Sequence, residues 1–369
     1  MRDVLRRLAE LELELSDVPT LSIYLDMRPQ ATGENPAVRS GRIILKDRLR
    51  EIEKTLGPRG VALDSFRADA EHIVRALDRD VASASQGVAI FACHGRNLFE
   101  VVEAGVPFEN QVTADALPDL FQLARLLDEQ ETAVVAVVDS NTARLFVTRT
   151  GAMAEVGGPD DDSVHYRKRS MGGWSQARYQ RHIDKHRADF AREAAAEIER
   201  LVDREGAVRV VLAGDEVAIT PLRAALSPAI AALLHDDVLR IHIRTPNDDV
   251  ASEVAPLLAR AEAEDACAVG DRLVQAVRAD GLGVAGLDGT RRALEYGQAD
   301  MLVLSPEAPL GDEERRALIR LATTTGADVE IVEGHAALHD LGGIGALLRY
   351  RLDETGEQPM PVATRGPKE

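Results

Sequence analysis

Between Arg167 and Arg187 lie seven basic side chains, Arg167, Lys168, Arg169, Arg178, Arg181, Lys185 and Arg187, opposed by one acid, Asp184. The only tryptophan of the chain, Trp174, sits among them beside Gly172 and Gly173, and His165, His182 and His186 flank or join the run. Guanidinium and ammonium groups neutralise phosphates, a flat indole can stack on a base, and glycines let backbone approach a partner closely. These are the parts of an RNA-facing finger. A second account fits the same residues: a basic loop folded back on an acidic body, with Trp174 anchoring it in a crevice. His182 and His186, four apart at a helix start, could hold a metal or move a proton in RNA cleavage, but no third ligand is placed beside them by motif. Asp215 and Glu216 follow an apolar run ending at Gly214, where a sheet's carboxyl end binds ligands or a helix is capped. Cys93-His94 reads as packing and a turn at a strand end. No metal or cofactor is expected.

The body around this element is acidic. A net charge of -18 over 369 residues repels polyanions, so a nucleic-acid contact has to be local. Hydrophobic residues at 45% and charged residues at 29% exclude a chain that is disordered throughout. No apolar run reaches the ~18–20 residues of a membrane span, and MRDVLRRLAELELEL is amphipathic rather than a secretory leader, so a cytoplasmic protein without a membrane partner is expected. Cys93 and Cys267 are too few for a disulfide framework or a zinc cage.

Periodicity predicts a multidomain α/β chain. Residues 1–130 form an α/β domain: a half-buried strand in LSIYLDMRP, helices over Arg39–Leu56, Ser65–Leu77 and Leu117–Leu127, and paired strands in QGVAIFACHG and NLFEVVEAG. Residues 131–246 open with a hairpin, Ala133–Val138 and Ala143–Thr148, around a DSN turn. A polar stretch over Gly157–His182 follows, then a helix over Lys185–Val202, a strand at Val208–Gly214, a helix at Thr220–Leu234 and a strand at Asp237–Ile243. Residues 247–355 start with a long helix interrupted near Gly270 and then alternate helix and strand, predicting an α/β/α sandwich. The tail, 356–369, is expected to be disordered.

The segment MGGWSQARYQRH, Met171–His182, resembles the glycine-glycine-glutamine loop of archaeal and eukaryotic class-1 peptide-chain release factors. Gly172, Gly173, Ser175, Arg178, Tyr179 and Arg181 fall on matching positions without gaps, while Trp174 stands where that family has glutamine. GGIGALLRYRLD, Gly342–Asp353, and GTRRALEYGQADMLVLS, Gly289–Ser305, resemble the third domain of the same factors. The chain is therefore similar to the bacterial members of the archaeo-eukaryotic release-factor superfamily, with Pelota and the hibernation factor Balon as more distant cousins. No NIKS-like stop-codon signature precedes Gln130.

The resemblance implies a ribonuclease-H-like middle domain bearing a protruding basic loop, 165–187, and a C-terminal domain like kink-turn-binding ribosomal proteins. It implies the ribosomal A site, ribosomal RNA and peptidyl-tRNA as partners, and leaves open a translational GTPase. Two function classes follow. One is a peptidyl-tRNA hydrolase for rescue or release, with Gly172 and Gly173 for approach, Gln176 for water, and Arg167, Lys168, Arg169, Trp174, Ser175, Arg178, Tyr179, Arg181 and Lys185 on RNA. The other is a non-catalytic occupant of the A site, a hibernation or protection factor, in which Trp174 stacks and the basic residues clamp RNA.

Overall fold

The computed structural model describes residues 2–11, 18–28, 40–79, 81–82, 85–129, 131–149, 151–157 and 174–351. They form a multidomain α/β fold with three four-stranded sheets. The described residues divide between two compact units. One comprises those within Met1–Glu103, Pro107–Glu129 and Arg260–Glu369, the other those within Ala104–Val106 and Gln130–Ala259.

The first unit begins with α1 (Arg2–Ala9), β1 (Thr20–Asp26), α2 (Ser40–Thr55), α3 (Val61–Arg79), β2 (Gly87–Cys93), β3 (Leu98–Ala104), β4 (Gln111–Asp115) and α4 (Phe121–Glu129), with strand order β3-β2-β1-β4. The alternation in β1 predicts one wet face, yet Thr20 to Leu25 are all buried. Leu21, Ile23 and Leu25 pack with Leu45, Phe66 and Ile73 of α2 and α3. The polar positions on the other face are covered as well. The Tyr24 hydroxyl donates to the Asp119 carbonyl at 2.7 Å, Ser22 Oγ accepts the Asp119 N–H at 2.8 Å, and Phe91 and Phe108 meet the Tyr24 ring edge-on. Hydroxyls satisfied in this way can be buried at little cost.

The second unit holds β5 (Ala133–Val138), β6 (Ala143–Arg149), β7 (Ala152–Gly157), α5 (Trp174–Glu205), β8 (Arg209–Gly214), α6 (Glu216–Ala225), α7 (Pro228–Ala231) and the start of α8 (Asn247–Arg278). The strand order is β7-β6-β5-β8: β5 to β7 form an antiparallel meander, and β8 runs parallel to β5 with Val138 opposite Gly214. One sheet face, through Val134, Ala136, Leu145 and Leu212, packs on Ala194, Ile198 and Leu201 of α5 and on Leu222 of α6. The other, through Val135, Val137, Phe146 and Val211, packs on Val250, Val254 and Leu257 of α8. Burial on both faces explains the unbroken AVVAVV of β5.

The strand expected over Asp237–Ile243 does not form. Of this segment only Leu239 bridges β8, opposite Ala213: its N–H donates to the Leu212 carbonyl at 3.1 Å and its carbonyl accepts the Gly214 N–H at 2.9 Å. His235 Nδ1 accepts the Asp237 N–H at 3.0 Å and His242 Nδ1 the Arg244 N–H at 3.1 Å, so side-chain turns at both ends of the segment confine its pairing to that bridge.

The first unit resumes in the rest of α8 and continues with β9 (Gly283–Ala285), α9 (Leu287–Glu295), β10 (Ala299–Leu304), α10 (Asp312–Thr325), β11 (Asp328–Ile331), α11 (Ala336–Asp340) and β12 (Ile344–Leu348), in strand order β11-β10-β12-β9. α8 is continuous through Gly270. A Cβ there would lie 2.8 Å from the His335 ring, so this glycine permits a close approach instead of breaking the helix. Within this unit α4 guards the edge strand β11: Asp128 Oδ2 accepts the Ile331 N–H at 2.6 Å, and Arg125 pairs with Glu333 at 2.5 Å. Arg316 joins Asp115 at 2.7 Å nearby. The expected tail, 356–369, lies outside the described residues.

Candidate nucleic-acid interface

The basic motif belongs to the second unit, and α5 positions it. Periodicity predicts that this helix starts at Lys185, but it begins at Trp174, so residues 174–187 of the expected loop are helical. Gln, Ala and Arg favour helix, but the large apolar residues of this stretch, Trp174, Tyr179 and Ile183, are few among basic and polar ones, so the periodic signal is weak. Arg167, Lys168, Arg169, Gly172 and Gly173 lie outside the described residues. Trp174, Ser175, Gln176, Arg178, Tyr179 and Arg181 occupy the first turns of α5, and their side chains are likewise outside what is described. Lys185 is exposed; His186 and Arg187 are half-buried. Among the described side chains of α5 the first buried one is Phe190, so by helical rise the helix start stands about 24 Å along the axis from it.

The far end of α5 is held firmly. Glu205 is bonded by Arg149 and Arg204, and these hydrogen bonds hold its carboxyl below the usual glutamate range. Glu199 accepts the Ser227 hydroxyl at 2.7 Å, tying the helix to the start of α7. Ile198 is fully buried in the sheet contact. The sheet edge is braced by Arg144, which donates to the carbonyls of Ile243 at 2.9 Å and Thr245 at 2.6 Å, pairs with Glu155 at 2.9 Å and lies over the Phe146 ring. The Arg144 hydrogen bond holds Glu155 below its ordinary range.

At the carboxyl ends of the parallel strands the backbone closes tightly. Gly214 has φ +123°, and a Cβ there would lie 1.9 Å from the Val138 carbonyl oxygen. Asp215 takes the N-cap position of α6, as capping predicts, but forms no side-chain cap bond; its carbonyl accepts the N–H groups of Ala218 and Ile219 instead. A cleft opens beside this closure, lined by Asp139, Ser140, Arg187, Phe190, Ala191, Ala194 and Leu222 among others. Spacing of residue types missed it, because Ser140 and Arg187 are far apart in the chain. The DSN turn and the basic run hold its polar members, so the signal was present without the pairing.

The metal reading of His182 and His186 gains no ligand group among the described residues. The carboxylates that do converge are Asp128, Glu262 and Glu330 of the first unit, within 4.8 Å of one another. Cys93 is fully buried, and burial raises its thiol pKa, in keeping with a packing role. No helix among the described residues is long and apolar enough to cross a membrane.

A mixed sheet clasped between a long cation-headed helix and the start of another defines the class: an α/β unit that presents a helix terminus carrying a basic, double-glycine sequence. Residues 118–266, which include this unit's sheet and all of α5, match the model of bacterial archaeo-eukaryotic release factor family 10. The release-factor-like family to which the sequence pointed is borne out over that span. Among solved structures, the chain is similar to the archaeal translation termination factor aRF1 (16% identity, 95% of this chain and 98% of that one, TM-score 0.27). It is also similar to archaeal Pelota in a ribosome-bound model with ABCE1 (15% identity, 96% and 95%, TM-score 0.44) and to Dom34 of S. cerevisiae (10% identity, 73% and 82%, TM-score 0.44). No curated protein matches the chain.

Proposed function

We propose that this chain is a ribosome-associated protein of release-factor type that hydrolyses the ester of peptidyl-tRNA, in ribosome rescue or peptide release, through Gly172, Gly173 and Gln176. The observation that carries the reading is the position of the Met171–His182 motif: it falls within the family-matched segment and leads into a helix anchored in that segment's core. In this reading residues 131–246 are the ribonuclease-H-like domain that bears the loop, which the strand order β7-β6-β5-β8 supports, between flanking domains 1–130 and 247–355.

Hydrolysis adds water across the ester. The water oxygen bonds to the carbonyl carbon, and the ribose oxygen of tRNA leaves with a proton. The protein has to hold that water and supply donors where the oxyanion forms. The first N–H groups of a helix lack intrahelical acceptors and carry the positive end of its dipole, so the start of α5 suits a developing oxyanion. Gln176, two positions past the site of the family glutamine, supplies an amide oxygen for water. Arg178, Arg181 and Lys185, with Arg167, Lys168 and Arg169, take RNA phosphates in the A site, with Ser175 and Tyr179 beside them. Gln176→Ala is expected to abolish puromycin-independent peptide release from stalled ribosomes while ribosome co-sedimentation persists. Equal release by both proteins rejects the catalytic role.

A second reading is favoured by one residue. Trp174 replaces the family glutamine, and an indole donates through a single N–H and accepts nothing from water. The chain is then a non-catalytic A-site occupant, a hibernation or protection factor, with Trp174 stacked on a base. It predicts salt-sensitive association with vacant ribosomes that Trp174→Ala weakens; no association at low salt excludes it.

A further inference from the structure

The start of α5 is the long arm of a lever. Ile198 is fully buried against the sheet; by helical rise it lies about 16 Å from Arg187 and about 36 Å from Trp174. A tilt about Ile198 that moves Arg187 by an ångström therefore moves the first turn by about two. The hold on Arg187 decides where that turn stands.

That hold is incomplete. Arg187 lines the cleft between α5, α6 and the turn after β5, whose walls are apolar and which has room for about one water. Ala191, Ala194 and Ala218 are too short to fill it, and Phe190 lines the same space, so α5 can shift into it. The Arg187 Nε is shut off from water without a hydrogen-bond partner. Arg42 and Arg315 also bury an unpartnered Nε, but their terminal nitrogens are engaged, Arg42 with Asp78 and Arg315 with the Pro306 carbonyl. Arg187 makes no hydrogen bond or ion pair among the described residues. An unmet guanidinium donor is costly where water cannot reach it.

Asp139 is the acid that lines the same cleft. Its Oδ1 accepts the N–H groups of Asn141 at 2.9 Å and Thr142 at 2.8 Å, which fixes the carboxylate in its own turn. Oδ2 keeps its capacity to accept, and a guanidinium is its strongest donor. The gap is no wider than about one water, so a shift of about 2–3 Å at Arg187 brings the two charges into contact. By the lever, that is about 5 Å at the start of α5. A misplacement of about an ångström can cost a hundredfold in rate.

We propose that Arg187 and Asp139 are positioning residues: their ion pair draws α5 toward the turn after β5 and holds its first turns where the release chemistry needs them. The pair forms and opens in the free protein, because the cleft leaves room for both arrangements. The consequence for activity rests on the release reading; the tilt itself is measured without it.

Full-length protein carrying Cys267→Ser is spin-labelled at Ala177→Cys on α5 and Val217→Cys on α6, and the distance is read by double electron–electron resonance; Cys93 is fully buried and takes no label. Two distances about 5 Å apart are expected. Asp139→Asn, which keeps an acceptor for the turn, and Arg187→Met each leave the same single distance, while Arg187→Lys, which keeps the charge, retains both. In peptide release each of the first two variants is expected to lower the maximal rate about ten- to a hundredfold with the half-saturating concentration unchanged, and the double variant loses no more than either. If Asp139→Asn does not fold, the contrast of Arg187→Met with Arg187→Lys decides alone. One distance shared by the parent and all variants, or losses that add in the double variant, overturns the proposal. Distances that respond as expected in a protein that releases no peptide refute the release reading and leave the ion pair standing.

Discussion

Substituting Gly214 by alanine tests the closure on which α6 and the cleft depend. The residue sits at φ +123°, a region that residues with a side chain rarely adopt, and the added Cβ would stand 1.9 Å from the Val138 oxygen and 2.9 Å from its carbonyl carbon. The backbone strain costs about 1–3 kcal/mol. Relieving the collision requires β5 and β8 to separate by more than an ångström at their carboxyl ends. That movement removes the bond from the Asp215 N–H to the Val138 carbonyl, now 3.1 Å, at about 1 kcal/mol. The sum, roughly 2–4 kcal/mol, lowers a urea midpoint by about 1–2 M at a slope of about 2 kcal/mol/M. Urea unfolding followed by circular dichroism measures the midpoint, and hydrogen exchange at the Asp215 amide locates the change. A variant within about 0.3 M of wild type, with that amide equally protected, would refute the close approach.

Ile198→Ala removes a fully buried side chain at the contact of α5 with the sheet, and a loss of about 2–5 kcal/mol is expected by denaturant unfolding. Asp128→Ala takes away the acceptor of the Ile331 N–H, and faster exchange of that amide by about tenfold is expected. Two carboxylates set opposite pH dependences. Glu155 is held low by Arg144, so its contribution is present above the unfolded-state pKa and lost as pH falls through the folded value; Glu155→Gln should flatten the acid limb of a melting-temperature profile. Asp119 is raised, chiefly by burial, so its contribution is present below the ordinary aspartate value and lost as pH rises through the folded one. Asp119→Asn should therefore gain on wild type from mildly acidic toward neutral pH, and parallel profiles would contradict this.

Local chemistry along the chain was enough for much of the architecture. The 133–148 hairpin, the helix-strand alternation after 287 and the helices over 40–79 follow from apolar period and turn residues, which act over a few positions. The basic, double-glycine motif and its family likeness were equally legible, since both are statements about residue types in order. Other features depended on what distant residues do. Ser22 and Tyr24 look like a wet face until the Asp119 backbone meets their hydroxyls. Gly270 looks like a helix break until His335 packs against it. Trp174 to Asp184 look like loop because three large apolar residues among basic and polar ones leave only a weak periodic trace. The cleft exists only because the parallel pairing of β5 with β8 lets α5 and α6 bring Arg187 beside the turn at Ser140. Sequence patterns record contacts between neighbours in the chain; a site assembled across a sheet is decided by packing.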